Sequence, residues 1–193
     1  MATLNATNLK HASSGSNNIV LAADGSTTIS NLSGGVGKIL SVTQTVKTDT
    51  FSESNVAQGS QSGDAIYLDF AATSGSNKLL VHYSLSAGSS AANRMGCLFV
   101  VGGVIQSGFI GDADGNRKQV TSTAANQATW AINNLAGSLL VSSPSTNSTR
   151  YSFRLVQGDN TTHTVYLNRS HDDNNQSYMH RPISTITIME VAA

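Results

Sequence analysis

Near its C-terminus the chain reads Ile183-Ser184-Thr185-Ile186-Thr187-Ile188-Met189-Glu190-Val191, a strict two-residue alternation rich in β-branched residues. Ile183, Thr185, Thr187, Met189 and Val191 fall on one side, and Ser184, Ile186, Ile188 and Glu190 on the other. Helical burial repeats every 3.6 residues, so this spacing specifies a strand. Both sides carry apolar groups. Such a strand belongs inside a sandwich, with its second face covered by a loop or by another subunit.

The same signal recurs upstream. Residues 38–47 (KILSVTQTVK), 64–71 (DAIYLDFA) and 78–85 (KLLVHYSL) alternate polar and apolar positions over ordinary strand lengths. The apolar run 95–105 is interrupted by Gly102-Gly103, which fits either two strands meeting at a turn or one strand with a bulge. Trp130-Ala131-Ile132 and residues 138–141, 151–156 and 163–167 continue the series. Short strands at this spacing imply a sandwich or a barrel. No window keeps a helical apolar period between capping signals. The best candidate, 124–140, contains Asn126, Asn133, Asn134 and Gly137, which leaves room for one helical turn at most.

Residues 1–36 differ from the rest. Ile19-Val20-Leu21 and Thr27-Thr28-Ile29-Ser30 flank Ala23-Asp24-Gly25-Ser26, an Asp-Gly hairpin signal, and Ser33-Gly34-Gly35 then sets a boundary near residue 36. A segment this short with so few large apolar groups cannot bury a core alone, so it is expected to become ordered by packing against other chains. The expected organisation is an attachment or oligomerisation segment, 1–36, followed by a β-sandwich domain, 37–193.

Composition excludes several roles. Only 11% of the 193 residues are charged, eleven basic residues balance eleven acidic ones, and hydrophobic residues make up 39%. Ser, Thr and Asn supply roughly a third, so the surface is polar and uncharged. No run of Lys or Arg provides the footprint that a phosphate backbone demands, and nucleic acid is not an expected partner. Residues 1–10 lack the basic and apolar parts of a secretion signal, and no 18-residue apolar stretch occurs, so membrane insertion is not expected either. The single cysteine, Cys97, lies in the apolar run Cys97-Leu98-Phe99-Val100-Val101 and reads as a small buried hydrophobe.

Candidate chemical motifs fall short. Gly34-Gly35-Val36-Gly37-Lys38 has the look of a phosphate loop, but Leu32 stands where the first glycine belongs and Ile39 where Ser or Thr must follow the lysine. Asp112-Ala113-Asp114-Gly115-Asn116 clusters carboxylates in a turn, making Asp112 and Asp114 candidate cation ligands, yet no Glu completes a calcium loop. His171-Asp172-Asp173 with His180 has metal-ligand residue types at no recognised spacing. No serine sits in Gly-x-Ser-x-Gly. The expectation is therefore no metal, no cofactor and no enzymatic activity. Long polar loops are where binding groups concentrate, which selects residues 112–117 (Asp112, Asp114, Asn116, Arg117) and 168–181 (His171, Asp172, Asp173, Tyr178) as candidate binding loops.

Several segments together resemble virion structural proteins of marine phages and cyanophages, usually described as tail-fibre or other structural proteins. They are Leu9-Lys10-His11-Ala12-Ser13-Ser14-Gly15-Ser16-Asn17-Asn18-Ile19-Val20-Leu21 with Ala23-Asp24-Gly25-Ser26, Gly37-Lys38-Ile39-Leu40 leading to Thr45-Val46-Lys47-Thr48-Asp49-Thr50-Phe51-Ser52, Ser76-Asn77-Lys78-Leu79-Leu80-Val81, and Ser184-Thr185-Ile186-Thr187-Ile188-Met189-Glu190-Val191-Ala192-Ala193. The resemblance implies a virion component in which an N-terminal attachment segment joins other virion proteins and a jelly-roll-like all-β head assembles as a homotrimer. It implies a tail location and contact with a host surface glycan or protein. An architectural protein of the head, baseplate or tail that never meets a host is the alternative, and the family contributes no catalytic residue.

Overall fold

The computed structural model describes residues 38–142 and 144–193, together with 7–9, 12–13, 15, 19–21, 23 and 27–29. The chain divides into two compact units, Met1–Lys38 and Ile39–Ala193. In the first, β1 (Asn8–Leu9), β2 (Ile19–Leu21) and β3 (Thr27–Ile29) form an antiparallel sheet in that order, with Asn8 opposite Val20 and Ile19 opposite Ile29. The Asp24-Gly25-Ser26 part of the expected hairpin turn and the expected boundary near residue 36 lie outside the described residues.

The second unit contains β4 (Ile39–Lys47), β5 (Phe51–Val56), β6 (Gln61–Phe70), β7 (Lys78–Ser89), β8 (Asn93–Val101), β9 (Val104–Ile105), β10 (Ser122–Asn126), β11 (Asn133–Ser142), β12 (Thr149–Gln157), β13 (His163–Leu167) and β14 (Ser184–Val191). One sheet runs β4-β14-β7-β13-β5, with β11 also paired to β7; the other runs β10-β8-β12-β6, with β9 paired to β8. Because the chain passes repeatedly from one sheet to the other, the two pack as an antiparallel, jelly-roll-like sandwich. Among the described residues the helical content is a single 3-10 turn, Ser107–Phe109, and no helix is long and apolar enough to cross a membrane.

Alternation puts one face of each strand into the core. Leu79, Val81, Tyr83 and Leu85 of β7, Tyr151, Phe153 and Leu155 of β12, and Ile186 and Ile188 of β14 point inward and are buried. Phe153 sits where the sheets meet, its ring centroid 4.2 Å from that of Tyr83 and 5.3 Å from that of Phe99. Those separations are near or within the range in which aromatic pairs add to simple area burial.

Strand β8 is buried on both faces, which explains its unbroken apolar run. Cys97 and Phe99 enter the main core, while Leu98 and Val100 join Val156 in a second cluster covered by Ile105, Ile110 and Val120. The Gly102-Gly103 break is a two-residue hairpin turn between β8 and β9, both glycines at positive φ (57° and 85°) and Val101 opposite Val104. A side chain at either position would be strained, so glycine is the residue this turn selects. Burial pushes the Cys97 thiol up to about 11, so little reactive thiolate exists at neutral pH. Iodoacetamide is therefore expected to leave Cys97 unmodified in the folded protein and to label it fully in guanidinium chloride; rapid labelling without denaturant would contradict this packing.

One expectation needs correction, and two strands add to those the sequence showed. Trp130-Ala131-Ile132 is a turn and its exit rather than a strand, because Asn126 and Thr129 engage the neighbouring backbone in place of a ladder. Residues 51–56 and 122–126 are strands, β5 and β10, although their sequences are too polar to show an apolar period. Within one chain, β14 is fully buried on one face. Ser184, Ile186, Ile188 and Glu190 are each 0% exposed, whereas the other face is half-buried. There the register aligns Val42, Met189, Leu80 and Leu140 across β4, β14, β7 and β11 as one outward apolar row.

Candidate functional site

Strand register defines two ends of the sandwich. Ile39 lies opposite Val191, which lies opposite Lys78, which lies opposite Ser142; this is the end at which the chain enters the domain. Lys47 opposite Ser184 and Val165 opposite Ser89 mark the other end, about 30 Å away along β4 at the usual rise per residue. The loops 57–60, 90–92, 127–132, 158–162 and 168–183 cluster at this far end.

Two of these loops are fastened together by buried polar side chains. Asn126, 2% exposed, donates through Nδ2 to the carbonyls of Ala91 (2.7 Å) and Ala128 (3.0 Å) and accepts at Oδ1 from Asn133 (2.9 Å). Thr129 then accepts the His171 amide at its carbonyl (3.0 Å) and donates its hydroxyl to Asp172 Oδ2 (2.6 Å). Asn168, fully buried at φ 61°, donates to the carbonyls of Lys47 (2.8 Å) and Asp49 (2.9 Å) and accepts from Ser184 Oγ (2.6 Å). A Cβ on Gly88 would lie 2.7 Å from the Arg169 carbonyl oxygen, so only glycine lets the loop approach β7 so closely. The side-chain amides of Asn126 and Asn168 are both matched to partners at nitrogen and oxygen, as burial requires.

Between these loops lies a cleft of about 760 Å³ whose walls include Trp130, Asn133, Asp172, Asn174, Tyr178 and His180. Trp130 is 65% exposed and Tyr178 67% exposed. A second cleft, of about 930 Å³, is bordered by Arg94, Asn116, Arg117 and Lys118 above a floor that includes Gly96 and Val156. Arg117 forms an ion pair with Asp114, whereas Arg94 and Lys118 have no acidic partner among the described residues.

The candidate residues distribute unevenly over this geometry. Asp172 and Tyr178 line the aromatic cleft, while Asn116 and Arg117 line the basic one. His171 bonds through Nδ1 to the Tyr166 hydroxyl (2.8 Å), and Asp173 pairs with Arg181 and with Arg169 (3.5 Å), so both brace the loop from outside the cleft. The hydrogen bond from Arg181 holds the Asp173 carboxyl below its ordinary value. Asp112 is exposed and accepts only from the Ala113 amide (3.0 Å). Among the described residues no three His, Cys, Asp or Glu side chains come together around a common point. Trp130, Arg94 and Lys118 were not among the expected binding residues. The signal for Trp130 was available, since the chain's sole tryptophan stands among Asn126, Asn133 and Asn134.

No protein-family model matches this chain, and no curated protein matches it. Among solved structures, a chain of the infectious bursal disease virus Gx strain is similar at 12% identity and a TM-score of 0.36, over 79% of this chain and 37% of that one. The chain thus spans well under half the length of that structure's chain.

Proposed function

We propose that this chain is a structural protein of a phage particle, a homotrimeric tail-fibre or receptor-binding component that contacts the host surface and performs no catalysis. The observation that carries the reading is polarity along the sandwich. The chain enters at Ile39, and the fastened loops with their exposed aromatic rings stand at the opposite end, where an outward-pointing head would present them. In this reading residues 1–36 join other virion proteins.

The two outer sheet faces support self-association. On β6 and β12, Asp64 pairs with Arg154 (2.8 Å) and Asp69 with Arg150 (3.1 Å), giving a charged, solvated face. Across β4, β14, β7 and β11 the outward side instead carries the Val42-Met189-Leu80-Leu140 row beside a neutral polar row, in which Gln44 donates to Thr187 (2.7 Å) and Ser138 bonds His82 (2.6 Å). These two rows carry no carboxylate, and the exposed Lys78 lies beyond them at the entry end; charge depletion of this kind is characteristic of interface cores. Light scattering of the purified full chain is expected to give a trimer, and Val42→Lys with Leu140→Lys to reduce the mass while the melting temperature of the domain is kept. A monomer at every concentration overturns the assembly.

A purely architectural role in the head, baseplate or tail is the second reading, favoured by the same neutral face. Electron cryomicroscopy of the particle separates the two. The host-contact reading expects the far-end loops to face outward, and burial of those loops against other virion proteins would overturn it.

A further inference from the structure

From the aromatic cleft we infer that the far end of the sandwich is a binding site for a neutral saccharide, an inference that rests on the host-contact reading above. Trp130 and Tyr178 are two exposed aromatic side chains lining one cleft. Large aromatic rings held in water are costly unless a partner covers them, and the C–H faces of a pyranose ring are the apolar surface that such rings stack against. The remaining walls supply what sugar hydroxyls need. Asn133 and Asn174 provide amide donors and acceptors, and Asp172 uses Oδ2 for Thr129 while Oδ1 stays available as an acceptor.

Charge selects among saccharides. No Lys or Arg lines this cleft and its walls include the Asp172 carboxyl group, so sulfated, phosphorylated or uronic sugars find no fixed cation there and are disfavoured. Size fits as well, since about 760 Å³ lies within the ordinary range of small-ligand sites. The site is also preorganised. The bonds from Asn126, Thr129 and Asn168 hold both loops before any ligand arrives, so little ordering entropy opposes binding. Repetition of the site in a trimer would turn weak single contacts into firm attachment.

Trp130, the sole tryptophan, is its own reporter. The test is a titration of the intact full chain with maltotetraose, cellotetraose, chitotetraose and mannotetraose, with heparin as the acidic control, followed by Trp130 emission. A saturable blue shift with at least one neutral tetrasaccharide and none with heparin is expected. Tyr178→Ala should weaken that binding about tenfold or more, and Tyr178→Phe should retain it, at unchanged melting temperature. Arg94→Ala, in the other cleft, should leave it unchanged. An unresponsive Trp130 across the panel, or a response only to heparin, overturns the saccharide site. Adsorption of the labelled protein to a broad panel of bacterial cells is measured in parallel. Adsorption retained in Trp130→Ala overturns the saccharide site alone and points to a protein receptor, whereas no adsorption of the unmodified chain overturns the host-contact reading as well.

Discussion

Phe153→Ala is expected to lower the stability of the sandwich by about 4 kcal/mol, the usual size for removing a buried aromatic ring from a core that cannot collapse around the gap. Phe153 is 0% exposed, and its ring lies between those of Tyr83 and Phe99, so the lost contacts belong to both sheets. The surrounding strands are fixed by ladders on each side, β12 pairing with both β6 and β8, which limits relaxation. A loss of that size is a large fraction of the 5–15 kcal/mol that domains ordinarily have. Equilibrium unfolding in urea measures it, with Tyr67→Ala, at a 45% exposed position, as the comparison expected to cost about 1 kcal/mol or less. A Phe153→Ala variant within 1 kcal/mol of the unmodified chain, on the scale of such core deletions, would contradict the packing described here.

The second large effect concerns a charge inside the sandwich. Glu190, on the inward face of β14 and 0% exposed, accepts at Oε1 from the Thr73 amide (2.7 Å), the Thr73 hydroxyl (2.8 Å) and Asn77 Nδ2 (2.7 Å). Burial pushes this carboxyl up, but the hydrogen bonds from Asn77 and Thr73 outweigh it and hold the group below its ordinary value. Glu190→Ala strands those donors and is expected to cost about 3 kcal/mol at neutral pH. The pH dependence follows from the direction of the shift. Below an unfolded value of about 4.3 the unfolded chain binds the proton first, so the stabilisation is complete above that pH and is lost as pH falls through the lower folded value. Acid unfolding curves should therefore show Glu190→Gln less pH-sensitive than the unmodified chain between about pH 5 and 3. Equal slopes would show that the carboxylate is not held as described.

Much of this architecture was legible in the residues. The alternation in 183–191, 78–85 and 151–156 reports which atoms must leave water, and a glycine pair inside an apolar run reports a tight turn, because both signals are local. The polar strands β5 and β10 were not legible, since their pairing is dictated by β13 and β8 rather than by their own apolar content. Asp172 and Tyr178 could be selected from loop length and polarity. Trp130 could not be joined to them, because residues 130 and 178 come to line one cleft through tertiary contacts such as the Thr129 bonds to His171 and Asp172.

The sequence alone determined the fold class and the two-residue period of strands such as 38–47, 78–85 and 183–191, because side-chain period is a property of the chain itself. Which loops share an end of the sandwich, why a glutamate can stand inside it, and which outward row remains uncovered were decided by the tertiary structure. Those outcomes depend on pairings between residues far apart in the chain, such as Glu190 with Thr73 and Asn168 with Lys47, whose free energy no local pattern encodes.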